Sequence, residues 1–420
     1  MKKITSIDEI TLSSEFEKIT TELYGSAEGQ AERYKSLYLT HQKNYDLSTG
    51  FFFSSPGRIE VIGNHTDHNH GKVLTASISV DTLAFVTKTD DNVVRINSSG
   101  YAPFEADLSD LSLDENEAGG SKALVKGIAK YFVQNGFGVG GFSASVTSCV
   151  PTAAGVSSSA SFELLIAEVF NVLYNDGAVS KMKKAQASQF AENVYFMKPC
   201  GLMDQSAISL GGVSMIDFEN VEDPYVLSVQ YPFTDTDIVI TNTGGNHADL
   251  TDEYSSIRTE MEEVSKKFGA DYLRLVDYQK FLEAVPSLQN EVSGRAILRA
   301  IHFFDENVRV DKAVSAISLK NADAFYKIVG ESGDSSFKLL QNCYVSSDLI
   351  QRIPLGIALS MHVKGVRAVR VHGGGFAGTI IAFVEKAETH EYVERMSEVF
   401  GADHVYKLSI RQEGALCVEL

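Results

Sequence analysis

Apolar and polar positions change period several times along this chain. Residues 7–45 are polar and charged with a helical period, and Gly25 breaks them. Phe51-Phe52-Phe53 opens a strand-like stretch that the pattern ends at Ser55-Pro56-Gly57. Residues 73–98 alternate in pieces such as Leu83-Ala84-Phe85-Val86 and Val93-Val94-Arg95-Ile96, which predicts strands of an antiparallel or mixed sheet. Residues 107–120 are acidic and loop-like. Leu124, Ile128 and Phe132 then fall at i, i+4 and i+8, predicting a helix from Ser121 that stops at Gly136.

A strand over 141–149 runs into Val150-Pro151. A largely apolar, hence buried, helix is expected over 156–174 and a second helix over 181–195. Strands are expected at 213–218 and 237–241. The remainder predicts helices at 251–268, 312–319 and 322–330, strands at 366–371 and 378–384, a helix at 389–400, and strands at 405–409 and 416–419. Strands and helices do not alternate strictly, so the fold class is α+β, with mixed or antiparallel sheets packed by helices. A chain of 420 residues exceeds one ordinary core. Two domains are expected, 1–223 and 224–420, divided near Asp223-Pro224; neither an internal repeat nor a low-complexity linker marks the division.

Hydrophobic content of 44% and charged content of 22% are ordinary for a globular protein. The balance of 55 acidic against 37 basic residues, net −18, changes the picture more. It argues against general affinity for nucleic acid or an anionic membrane, whose phosphates the field repels. Any polyphosphate site must supply its own positive potential. Cys149, Cys200, Cys343 and Cys417 are widely spaced without a C-x-x-C pair, which fits reduced thiols and a cytoplasmic location. The first nine residues lack an apolar core, and no run of eighteen apolar residues occurs, so neither a signal peptide nor a transmembrane helix is expected.

Two stretches carry the chemistry. Val150-Pro151-Thr152-Ala153-Ala154-Gly155-Val156-Ser157-Ser158-Ser159-Ala160 lies between a strand and an apolar helix. Small residues let backbone approach a polyphosphate, and a helix N-terminus aims N–H groups at it. Serine hydroxyls can donate to phosphate or coordinate Mg²⁺. The plain alternative is a serine-rich helix cap. A Walker loop is absent. Gly136-Phe137-Gly138-Val139-Gly140-Gly141 has the G-x-G-x-x-G spacing but follows a helix, so it reads as a helix stop.

The second stretch, residues 55–71, is read as a polar loop after Gly57. It sets Arg58, Glu60, Asn64, His65, Thr66, Asp67, His68, Asn69 and His70 close together. Such groups can grip a polyol, whose hydroxyls need donors and acceptors. His65, Asp67, His68 and His70 also resemble a metallohydrolase ligand cluster. A solvated loop and a binding module without catalysis are the remaining readings.

Together these stretches resemble the GHMP kinase superfamily, and specifically the galactokinase family. The sugar signature aligns with residues 57–71 and the ATP loop with 151–160. Cys200-Gly201-Leu202-Met203-Asp204-Gln205 matches C-G-x-M-D-Q, and Gly373-Gly374-Gly375-Phe376-Ala377-Gly378 matches the last glycine loop. The resemblance implies a two-domain fold with the site in the interdomain cleft. It also implies transfer of the ATP γ-phosphoryl to the anomeric O1 of galactose. It assigns Asp204 and Arg58 to catalysis, and Asn64, His65, Asp67, Gly201 and Tyr254 to the sugar. Ala154, Gly155, Val156, Ser157, Ser158, Ser159 and Ala160 fall to ATP, Ser159 and Glu192 to Mg²⁺, and Gly373, Gly374 and Gly375 to a wall between sugar and nucleotide. Asn242, Glu253, Arg299, His302 and Glu306 are weaker matches.

This sequence departs from the family pattern in places. The family's Asn stands as Glu60 and its Glu as Asn64, as if exchanged. His68 replaces a Tyr, Val156 a Leu, and His372 a small polar residue. An amide at 64 both donates and accepts where a carboxylate only accepts. A galacturonate-type sugar-1-kinase on the same fold is therefore a second expectation, and a non-catalytic regulator a third. Glu192 and Ser159, with Arg58 and Asp204, weigh against the regulator.

Overall fold

The computed structural model describes every residue except 1, 2, 5, 153, 245–250, 346, 348 and 377. Ala153 and Ala377, one in each of two expected loops, therefore lie outside the described residues. The strands are β1 (Phe51–Ile62), β2 (Lys72–Lys88), β3 (Val93–Ser98), β4 (Phe104–Asp107), β5 (Phe142–Ser148), β6 (Val213–Asp217), β7 (Tyr225–Val229), β8 (Thr236–Asn242), β9 (Val366–His372), β10 (Thr379–Glu385), β11 (Val405–Leu408) and β12 (Leu416–Val418). One sheet has eight strands. Its path is β12-β1-β2-β5-β3-β4, and β6 branches from β2 and carries β7. The other sheet has four, in the order β11-β8-β10-β9. Only β3 and β5 are parallel among the paired strands described.

The branch has a local cause. The seventeen-residue β2 pairs its first residues with β6 and its last with β5. Between them the β1–β2 register shifts, from Pro56↔Asp81 to Gly57↔Ile78. That bulge corrects the sequence reading: β1 does not end at Ser55-Pro56-Gly57 but runs on to Ile62. Proline is tolerated there because ladders break at bulges. Arg58 and Glu60 are thus strand residues, and only 63–71 form the turn.

Alternation places both faces of each sheet in a core. In β1 and β2, Phe53 and Ala84 face the helices Ser121–Gln134 and Ser158–Asn175. Phe52 and Phe85 face the opposite way, under Tyr34 and Leu37 of the helix Gln30–Tyr45. The segment before Phe51 therefore seals the outer face of the large sheet. In the small sheet, Ile381 and Phe383 share a core with Ile59 and Val61 of β1, while Ile380 and Ala382 pack under Ile353 and Met396. One core therefore bridges the two sheets.

The expected division near Asp223-Pro224 does not follow the sheets. β7 and β12 come from beyond it yet join the eight-stranded sheet. The helix expected at 312–319 is the last third of Gly294–Ser318, a 25-residue helix about 37 Å long. The helix expected over 181–195 ends at Phe190 and continues as a π turn, Ala191–Tyr195. Strands β4 and β7 and the helices Met203–Leu210, Tyr278–Leu288 and Arg352–Met361 add to the expected elements. Among the described residues, no helix is long and apolar enough to cross a membrane.

Candidate active site

The nucleotide stretch meets β1 at Arg58. The Arg58 backbone N–H donates to the Val156 carbonyl at 3.2 Å, and its Nη1 donates to the Gly155 carbonyl. The same guanidinium grips Asp204, Nε to Oδ1 at 2.8 Å and Nη2 to Oδ2 at 2.7 Å. Asp204 sits in the first turn of Met203–Leu210. The arginine side chain is 6% exposed and the aspartate 32%, so the carboxylate is the open end of the pair.

Ser157 precedes the helix Ser158–Asn175 in a left-handed conformation, φ +62°, and its side chain caps nothing. Its hydroxyl donates to Asp204 instead. The serine-rich stretch is thus more than a cap. Gly155 is also left-handed, φ +66°, and a Cβ there would lie 3.4 Å from the His372 ring. The His372 ring is buried against the backbone of Glu60 and Gly155. Burial, with Arg58 and Arg370 beside it, holds that imidazole well below its ordinary pKa.

A second group of carboxylates lies beyond Asp204. Glu192, in the π turn, accepts from Lys198 Nζ at 2.9 Å and from Gln205 Nε2 at 2.9 Å. The same Gln205 nitrogen donates to Glu163 at 3.2 Å. Glu163 lies four residues after Ser159 on one helix, hence on the same face. Its Oε1 is buried and unpartnered. Burial, then the Glu192 charge, pushes the Glu163 carboxyl well above its ordinary pKa. Glu163 carried no role in the sequence reading; its i+4 spacing from Ser159 was the available signal.

The turn after β1 is anchored by the long helix. Glu306 accepts from the Gly63 N–H at 3.0 Å, from Arg309 at 2.6 Å and from Ser332. Burial raises that carboxyl, but His302, Arg309 and Arg370 outweigh it and bring it down to about 2. The Asn64 carbonyl is 2.9 Å from His302 Nε2.

The expected sugar residues divide into two groups. Asn64, His65 and Tyr254 each donate to a carbonyl of the β9–β10 hairpin turn. Asn64 Nδ2 reaches Gly373 at 2.8 Å, His65 Nε2 reaches Gly374 at 2.9 Å, and Tyr254 Oη reaches Gly375 at 2.9 Å. A Cβ on Gly374 would come within 2.4 Å of the Tyr254 ring, and one on Gly375 within 2.1 Å of the Asn342 carbonyl. Asn64 is fully buried. It also donates to Glu60 at 3.2 Å, and its oxygen accepts from Asn342 at 2.7 Å and Ser336 at 3.3 Å. Every hydrogen-bonding position of that amide is taken by protein. The exchanged residues are thus one contact pair, and Glu60 is in turn bound by Arg370 Nη2 at 2.8 Å, both side chains buried.

Asp67 and Gly201 form the other group. A Cβ on Gly201 would come within 1.8 Å of Asp67 Oδ2, so the glycine leaves space for that carboxylate. Burial, then the Asp204 charge, pushes the Asp67 carboxyl up to about 6. The metallohydrolase reading is not supported. His65 donates to a carbonyl, His68 Nδ1 pairs with Asn69, His70 stacks on Tyr272 at 3.6 Å, and no metal-ligand cluster occurs among the described residues.

Residues 39–88 match the family model described as the galactokinase galactose-binding signature, and residues 123–212 match the GHMP kinases N terminal domain. A galactokinase of Clostridium tetani is 30% identical over 84% of this chain and 89% of its own length. One of Actinobacillus pleuropneumoniae is 31% identical over 89% of this chain and 94% of its own. The crystal structure of Lactococcus lactis galactokinase complexed with galactose superposes with a TM-score of 0.80 at 25% identity, covering 92% of this chain and all of that one. Methanococcus jannaschii mevalonate kinase shares the fold, with a TM-score of 0.62 at 13% identity over 86% of this chain and 98% of its own. The chain belongs to the galactokinase family of the GHMP kinases and is an ATP-dependent sugar kinase.

Proposed function

We propose that the protein transfers the γ-phosphoryl group of ATP to the anomeric O1 of galactose, giving galactose 1-phosphate and ADP. The Arg58–Asp204 pair at the seam between β1 and the nucleotide stretch carries this reading. A carboxylate open on one side, beside a helix N-terminus suited to phosphates, fits a hydroxyl acceptor facing a polyphosphate. Asp204 orients the hydroxyl and accepts its proton as the phosphoryl group is transferred. Arg58 balances charge that develops on the transferred group. Backbone N–H groups of Ala154, Gly155, Val156, Ser157, Ser158 and Ala160 are the phosphate cradle in this reading. Asp67, whose carboxylate fills the space that Gly201 leaves, accepts from ring hydroxyls in this reading. Gly373, Gly374 and Gly375 form the wall between sugar and nucleotide. The division into 1–223 and 224–420 stands as part of the same reading, with β7 and β12 crossing over.

The oxygen groups fit a hard cation. Glu192 and the Ser159 hydroxyl are the ligand types that hold Mg²⁺ together with phosphate, and Gln205 ties Glu192 to Glu163, one turn after Ser159. Mg²⁺ bound there would neutralise charge on the β- and γ-phosphates.

A galacturonate-type acceptor is the second reading, and the Glu60–Asn64 exchange favours it. The pair's carboxylate is held by Arg370 and its amide by protein partners, so neither opposes a carboxylate at C6. A coupled ADP-release assay over galactose, galacturonate, N-acetylgalactosamine, arabinose and glucose separates the readings. Turnover of galactose supports the first. Turnover of galacturonate with none of galactose replaces it with the second, and sugar binding without turnover of any member points to a regulator.

A further inference from the structure

Lys198 follows the π turn that carries Glu192 and precedes the helix that carries Asp204. Its neighbour Met197 is left-handed, φ +62°, in a stretch outside regular structure. The Lys198 backbone N–H donates to the Glu192 carbonyl at 3.0 Å, which fixes where the side chain leaves the chain. Its ammonium donates to Glu192 Oε1 at 2.9 Å. The lysine side chain is 62% exposed, whereas Glu192 is 5% exposed. The stem thus lies in the open and the head is drawn down onto a buried carboxylate.

Two carboxylates, Glu192 and Asp204, lie beside the carboxyl of Glu163, and two cations answer them. Arg58 is buried and committed to Asp204 and the Gly155 carbonyl. Lys198 has a single side-chain partner and a flexible four-carbon stem. A chain of net charge −18 repels an arriving polyphosphate, so a local cation carries weight.

We propose that Lys198 is a phosphate-binding residue that exchanges partners: it neutralises Glu192 in the nucleotide-free protein and moves to a phosphate oxygen when a divalent cation takes Glu192. The proposal rests on the reading that Glu192 holds the metal. A divalent cation at Glu192 repels the ammonium, and the exposed stem can carry it several ångströms without moving backbone. Free metal and Lys198 are then competitors, while phosphate and Lys198 are partners.

The test measures Mn²⁺ binding to the nucleotide-free protein by electron paramagnetic resonance, and binding of a non-hydrolysable ATP analogue to the Mn²⁺-saturated protein by calorimetry. Wild type, Lys198→Met, Lys198→Arg and Glu192→Gln are compared. Lys198→Met should bind Mn²⁺ about tenfold more tightly and, once loaded with Mn²⁺, bind the ATP analogue about tenfold more weakly, the size of one charge-assisted hydrogen bond. Lys198→Arg should stay near wild type in both. If Lys198→Met leaves either affinity unmoved, or weakens both as a merely structural lysine would, the exchange is wrong. If Glu192→Gln leaves Mn²⁺ binding unchanged, the metal reading falls and takes the exchange with it. Loss of Mn²⁺ in Glu192→Gln, with no opposed shifts in Lys198→Met, overturns the exchange alone.

Discussion

At the nucleotide end of the site, charged groups meet at an open carboxylate. Asp204 keeps 32% of its side chain exposed, and Glu163 keeps a buried oxygen without a partner. At the sugar end the polar groups are closed on one another. Asn64, His65 and Tyr254 all donate to the glycine-turn carbonyls, and Asn64 has no position left for a ligand. Unsatisfied groups next to charge suit a partner that brings its own charge, such as metal and phosphate. A saturated buried network suits shape, because each member is costly to disturb. On the proposed function the two substrates are met differently, phosphate by the charged groups around Asp204 and sugar by the half-buried carboxylate of Asp67 beside the closed turn.

The largest expected break is at the nucleotide end. Asp204→Asn should lower kcat by about a thousandfold, within the range of a lost acid–base group. ATP affinity measured by calorimetry should stay within a few-fold. Near-normal turnover would remove Asp204 from the chemistry and dissolve the contrast. Next comes Gly201→Ala, where the added carbon reaches Asp67. It should cut kcat/KM for the sugar by about a hundredfold, as misplacement of a reacting partner does, and leave the KM for ATP little changed.

Asp67 gives a pH test of the open part of the sugar end. With its carboxyl at about 6, kcat/KM for the sugar should fall as pH drops below about 6, by up to tenfold per unit. Asp67→Asn should flatten that limb. The stability sign is separate. A folded pKa raised above the unfolded value of about 3.9 means the folded state holds its proton longer, so stability falls as pH rises from about 4 to about 6. Urea titrations at several pH values should show that slope in the wild type and less of it in Asp67→Asn.

The smallest effect on turnover belongs to the closed network. Asn64→Ala should lower kcat/KM for the sugar only a few-fold. It should cost about 2–4 kcal/mol of stability in urea, since buried partners are left unpaired. A large loss of sugar affinity with stability intact would place Asn64 against the ligand and reverse the description of this end.

Much of this was legible in the chain because it is local. The buried helix Ser158–Asn175, the hairpin β9–β10 with its glycine turn, and the alternating β2 and β3 follow from periods of a few residues. Pro56 misled because a bulge accommodates it where the register shifts. Strand β7 was missed because Tyr225 and Leu227 are exposed on an edge, without a buried face to impose a pattern. Motif spacing brought Arg58, Asp204, Ser157 and Asp67 into one site. The direction of Asn64 was illegible for a physical reason: its partners Gly373 and Asn342 lie 309 and 278 residues away. No window along the chain contains that network. The Glu60–Asn64 exchange could be noticed as a departure, but only Arg370 explains how a buried carboxylate at 60 is neutralised.

The decisive measurement is the position of the phosphate on the product, read by ³¹P and ¹H NMR after incubation with ATP, Mg²⁺ and galactose, alongside Asp204→Asn. The proposed roles of Asp204 and Asp67 predict one product, with phosphorus coupled to the anomeric proton in the wild type and absent in the variant. Phosphate on another hydroxyl, or inorganic phosphate with no sugar phosphate, would contradict that account.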